Sequence, residues 1–259
     1  MYTVVKWFGV AEKAKIICFK NGKPTGKKGH KLPFDEERPN EDGRLAASLS
    51  RTRSRIYELA ACNNWQWFFT GTLNPEWNNV LDLAEFRRKL TQGIRDYRKK
   101  TGDSVQYLLI PERHKSGAWH VHGLFNGLAV EKLHKFTTDE HLPYRILERV
   151  KAHDDVYSWD WYSNRFGFTT LTPIRSAAAC AAYVSKYVTK DLLSHNLDSN
   201  AHSFYATIGL KGAEVIAEGD LSPSAMPAHS FENDYIVSCF ADRDEVGEIV
   251  AKMGQYEHS

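Results

Sequence analysis

Two runs rich in β-forming and apolar residues, 106–113 and 118–125, are separated only by a turn containing Lys115-Ser116-Gly117. A connection that short joins antiparallel strands, because a parallel crossover needs roughly a dozen residues or more. The pattern therefore predicts a β-hairpin, and its neighbours must be arranged around it. Upstream, residues 65–73 predict a buried strand ended by Asn74-Pro75. Leu83, Phe86, Leu90, Ile94 and Tyr97 then recur at helical spacing over about 81–100, and Gly102 follows a basic last turn. Downstream, residues 166–174 predict another strand, and Ser176 is a good N-cap for a helix reaching about Leu193. This order predicts a layered α+β fold, with an antiparallel central sheet and flanking helices, rather than a doubly wound parallel one.

The flanks are less constrained. Residues 2–9 and 14–19 predict strands, followed by a Gly/Lys/Pro loop over 21–31. Residues 43–62 predict a helix carrying Arg44, Arg51, Arg53 and Arg55, either a solvated face or a phosphate-contacting one. Residues 130–164 are mixed, and 204–210, 214–218 and 235–240 suggest short strands. No internal repeat is present. Charge suggests a division into basic strands and helix at 1–64, a core at 65–211 and an acidic segment at 212–259. Residues 1–115 hold 22 basic and 13 acidic residues, whereas 212–259 hold 2 and 10. A basic half is compatible with an anionic partner such as nucleic acid, or with a merely solvated surface.

Other features exclude whole classes. The 259 residues are 42 % hydrophobic without any apolar run of about 18–20 residues, so neither a membrane-spanning helix nor a membrane partner is expected. Lys6, Glu12 and Lys13 interrupt the N-terminal apolar stretch, which argues against a signal peptide. Cys18, Cys62, Cys180 and Cys239 are scattered, without the CxxC spacing of a zinc site, and a reducing cytoplasm is the default. No GxxxxGK[ST] phosphate loop occurs, so no fused helicase is expected.

Two constellations carry chemistry. In His120-Val121-His122 the histidines project to one side of a strand. Alone, the pair is either a metal site or two surface or hydrogen-bonded histidines. Glu112, across the predicted hairpin, can add a carboxylate to that face. Two imidazoles and one carboxylate leave coordination positions open, which suits Mg²⁺ or Mn²⁺ in phosphate chemistry and does not exclude Zn²⁺. The second constellation is Tyr183-Val184-Ser185-Lys186-Tyr187-Val188-Thr189-Lys190. On an α-helical wheel with Tyr183 at zero, Tyr187 falls near +40°, Lys190 near −20° and Lys186 near −60°. Ala177, Ala181, Val184, Val188 and Leu192 fall on the opposite side. One alternative is an amphipathic helix whose tyrosines pad the core edge. The other is a pair of nucleophiles flanked by lysines, with a phosphodiester as the electrophile that uses histidines, tyrosines and basic surface together.

These motifs resemble those of the HUH endonucleases that initiate rolling-circle DNA replication. Phe68-Phe69-Thr70-Gly71-Thr72-Leu73-Asn74-Pro75 is similar to their first motif, with Gly71 where a bulkier residue is common. Trp119-His120-Val121-His122-Gly123-Leu124 is similar to the second, with Glu112 matching the acidic residue, and residues 182–190 are similar to the third. The paired tyrosines resemble gene A and gene II type initiators of single-stranded DNA phages. Arg165-Phe166-Gly167-Phe168, Phe204-Tyr205 and Gly209-Leu210 are also similar to that group. The likeness spans about 65–211 and implies an HUH (RRM/ferredoxin-like) core. It further implies His120, His122 and Glu112 as ligands of Mg²⁺ or Mn²⁺, Tyr183 and Tyr187 as nucleophiles and Lys186 as their helper. Thr70, Thr72 and Lys190 would contact DNA. The implied partners are single-stranded or melted origin DNA, a host DNA polymerase and a separate helicase, in the cytoplasm of a bacterial host. A relaxase or transposase of the same chemistry would use nearly the same residues. A non-catalytic single-strand-binding module would instead stack bases on Trp119, Trp159 and Trp161.

Overall fold

The computed structural model describes residues 1–24, 41–114, 116–188, 203–227, 230–232 and 235–254. The first half of the chain contains β1 (Tyr2–Phe8), β2 (Lys13–Phe19), α1 (Glu41–Ala61), β3 (Trp67–Gly71), α2 (Leu83–Thr101), β4 (Gln106–Arg113) and β5 (Trp119–Asn126). There follow β6 (His134–Lys135), α3 (Tyr144–Lys151), β7 (Tyr157–Ser158), α4 (Asp160–Ser163), β8 (Thr169–Pro173) and α5 (Ala177–Val184). The last elements are β9 (Tyr205–Ala206), β10 (Glu214–Asp220), β11 (Phe231–Glu232), β12 (Ile236–Ala241) and α6 (Arg243–Ala251). The fold is α+β with two antiparallel sheets rather than the single central sheet expected. No helix among the described residues is long and apolar enough to cross a membrane.

One compact unit comprises residues 41–60 and 64–210. Its sheet has the order β6-β7-β8-β3-β5-β4-β9, with the predicted β4–β5 hairpin inside it. Alternation of side chains gives the sheet two different faces. Phe69 and Phe125 point to one face, where Trp159 and Tyr162 pack edge-on against them. Beside this cluster runs α2, with Leu83, Phe86, Leu90, Ile94 and Tyr97 all buried, as their spacing predicts. Asp82 caps its first turn by accepting from the Glu85 amide, and Gly102 closes it at φ 75°. Phe68, Thr70, His120 and His122 point to the other face.

The helix expected to reach Leu193 is shorter. α5 ends at Val184 and tightens into a 3₁₀ turn over Ser185–Tyr187, after which Val188 is extended. Ser185 Oγ donates to the Ala182 carbonyl. Arg53 on α1 donates twice to the Val188 carbonyl, at 3.1 and 2.9 Å, committing it outside any helical ladder. Residues 189–193, Lys190 among them, lie outside the described residues.

The other unit comprises residues 1–40, 61–63 and 211–259. Its sheet has the order β10-β1-β2-β12-β11. Val5, Ile16, Cys18, Val237 and Cys239 form its core with Val246 and Ile249 of α6. Residues 1–64 and 212–259, separate in the charge-based division, therefore share one sheet, because β1 pairs with β10 and β2 with β12. The charge contrast along the chain largely cancels in the folded units. The first-described unit holds 22 basic and 18 acidic residues, and the second 12 and 14.

Candidate active site

β4 and β5 set the register of the site. Glu112 is the direct cross-strand partner of His120, and Ile110 that of His122, so Glu112, His120 and His122 share one sheet face. On the other side of β5, Thr70 of β3 pairs with His122. His122 is nearly buried and held from both ring nitrogens: Nε2 lies 2.8 Å from Glu112 Oε2, and Nδ1 lies 3.2 Å from Thr70 Oγ1. A hydrogen bond donated by His122 Nε2 holds the Glu112 carboxyl below its ordinary pKa, against the opposing effect of partial burial. His120 is also held below its usual pKa, chiefly by burial, then by the neighbouring His114 and His122.

His120 is turned toward His114, whose ring stacks on it at 5.2 Å. Hence Glu112 meets His122 directly, while no group of three His, Cys, Asp or Glu side chains among the described residues is gathered as metal ligands. The donors nevertheless suit a hard or borderline cation: an ionised carboxylate and imidazoles biased toward neutrality on one face. Directly opposed residues have Cβ atoms about 5 Å apart, so the Glu112–His120 separation is bridgeable by side-chain rotation alone. Thr70, expected on DNA, instead fixes the His122 ring, an outer-shell arrangement suited to orienting a ligand.

The tyrosines meet the histidines over Phe68. Its ring lies 5.4 Å from that of Tyr183 and 6.2 Å from that of Tyr187. Tyr187 stacks on His122 at 3.9 Å with an interplanar angle of 14°. Its hydroxyl donates to that of Tyr183 at 2.9 Å. Burial, followed by this contact and the Glu112 charge, raises the Tyr187 pKa well above that of an ordinary phenol. Tyr183 is half exposed, and the exposed Lys186 holds its ammonium 6.0 Å from that ring. The buried side of the segment is formed by Ala181, Val184 and Val188, in agreement with the helical-wheel expectation.

Other expected residues have different surroundings. Thr72 Oγ1 donates to the Phe168 carbonyl at 2.9 Å and thereby ties the end of β3 to the approach to β8. Gly71, the departure in the first motif, has a packing reason. A Cβ there would lie 2.5 Å from Tyr162 Oη and 2.7 Å from the Phe69 ring. Trp119 and Trp159 are buried in the core, so neither is a surface platform for bases. Three functional candidates go beyond the sequence expectations. His114 has a detectable signal, since it lies two residues after Glu112 on the same face. Phe68 has no signal beyond its place in the first motif. The Arg53–Val188 contact joins residues 135 apart and leaves no local pattern.

Residues 66–192 match the family model of the replication-associated protein ORF2/gene 2 protein, which covers 127 of the 259 residues. No curated protein and no solved structure matches the chain. The family match supports a replication-associated protein of the rolling-circle initiator kind.

Proposed function

We propose that the chain is an HUH-type replication initiator that nicks single-stranded origin DNA by tyrosine attack and later rejoins the strand. The observation that carries this reading is the convergence of two phenols on the Glu112–His122 pair, with Tyr187 stacked at 3.9 Å and its hydroxyl 2.9 Å from Tyr183 Oη. Structural padding alone gives no reason for two phenols, two imidazoles and a carboxylate to share one sheet face. The match over 66–192 supports the same chemistry.

Glu112, His120 and His122 would hold Mg²⁺ or Mn²⁺, which when bound would offset charge on the oxygens of the scissile phosphate. Tyr187, with its raised pKa, remains protonated and donates to Tyr183. This polarity makes Tyr183 the first nucleophile, because its oxygen already accepts a hydrogen bond that strengthens as negative charge develops. The Tyr183 Oη–P bond forms as the P–O3′ bond breaks. The phenolic proton is lost to solvent and the departing 3′ oxygen takes one up. The 5′-phosphate stays on tyrosine and the free 3′-hydroxyl can prime a polymerase. Lys186 lies beside Tyr183 and can meet the phosphate with its ammonium. Tyr187 then serves the second transfer, restoring a continuous strand. The test is recovery of a covalent protein–oligonucleotide adduct after incubation with single-stranded origin DNA and Mg²⁺ or Mn²⁺. Binding without any adduct under these conditions would favour a non-catalytic module.

A further inference from the structure

A second site lies on the face of the seven-stranded sheet opposite Glu112. Here a cavity of about 620 Å³ is lined by Arg87 and Thr91 of α2, Tyr107 of β4, Phe204 and Tyr205 at β9, and Thr52 of α1. That volume is within the roughly 300–1,000 Å³ of small-ligand sites. Tyr107 lies five residues before Glu112 on β4, about 16 Å along the strand, and its side chain takes the opposite face.

The lining contains a cation, aromatic rings and hydroxyls, but no carboxylate. The Arg87 guanidinium stands 4.8 Å over the Tyr205 ring. Arg98, on the same helix, stands 5.8 Å over the Tyr107 ring. Tyr205 is more than nine-tenths buried, yet its hydroxyl has no hydrogen-bond partner among the described residues. Buried polar groups are normally paired, so this hydroxyl in the cavity wall marks an incomplete site. An arginine held over one ring with further aromatic surface nearby suits a phosphate joined to a planar base.

We propose that this cavity holds one nucleotide of the single-stranded DNA beyond the segment at the tyrosines, with Arg87 on its phosphate and Tyr107 or Phe204 against its base. The inference rests on the DNA-nicking reading above and extends it to a second contact on the other sheet face. It assigns a role to Phe204-Tyr205, which the tyrosine chemistry leaves unused.

The 259-residue chain, kept in EDTA to prevent cleavage, is mixed with a 20-nucleotide single strand containing 5-iododeoxyuridine and then irradiated. Cross-linked peptides are mapped, and binding is measured against salt. Cross-links at Tyr107, Phe204 or Tyr205 are expected. Arg87→Gln should weaken binding five- to tenfold at low salt and make the log K versus log[salt] slope shallower by about 0.7, the loss of one single-strand phosphate contact. Arg87→Lys should restore the slope, separating charge from folding. Cross-links confined to peptides carrying Tyr183 or Tyr187, with an unchanged Arg87→Gln slope, would overturn the cavity assignment and leave the nicking reading intact. Failure to bind the strand at all would overturn both.

Discussion

In the five-stranded sheet, polar side chains that enter the interior are satisfied by immediate neighbours. Thr3 Oγ1 lies 2.9 Å from Cys18 Sγ, and the remaining centre is aliphatic or cysteine. In the seven-stranded sheet, the polar face of β4 and β5 is satisfied only by a chain of reactive groups running from Thr70 through His122 to Glu112, with Tyr187 stacked on His122. Both sheets are antiparallel and both cover a buried apolar layer, so strand pairing does not distinguish them. The difference is what the non-core face must do. A sheet built for packing can close its polar groups locally, whereas a reactive one keeps lone pairs and protons that change partners when substrate arrives.

This contrast can be broken experimentally. The largest expected effect is on chemistry: His122→Ala, or chelation of divalent ions, should lower adduct formation about 10³-fold or more in a gel assay, because several kcal/mol of charge stabilisation is lost. The fully buried Ile16 belongs to the other sheet, and Ile16→Ala should cost about 2–5 kcal/mol in urea denaturation while the folded fraction keeps its adduct-forming activity. Gly71→Val should lose about 1–3 kcal/mol through overpacking against Tyr162, measured in the same way. The smallest effect is expected from Asp242→Ala, which removes the capping box of α6 and should cost about 1 kcal/mol.

Much of the reactive unit was legible because its signals are local. The five apolar residues of α2, its caps, and the Glu112–His120 alignment all follow from periodicity and hairpin register. What escaped depends on distant parts of the chain. Residues 1–64 and 212–259 show opposite charge but no local sign that β1 would pair with β10. The wheel continued an α-helix through Tyr187, whereas the 3₁₀ turn accompanies Arg53 binding the Val188 carbonyl from 135 residues away. Even so, side-by-side placement of the two phenols survives that change. The orientation of His120 toward His114 is a torsional choice that strand alternation cannot specify.

The most direct test follows a 3′-labelled single strand into covalent linkage with protein, comparing wild type with Tyr183→Phe, Tyr187→Phe and the double variant. The account predicts a phosphotyrosine adduct in wild type, at a reduced rate in Tyr187→Phe, and none in the first turnover of Tyr183→Phe or in the double variant. An adduct formed by the double variant, or no adduct in wild type with either Mg²⁺ or Mn²⁺, would contradict it.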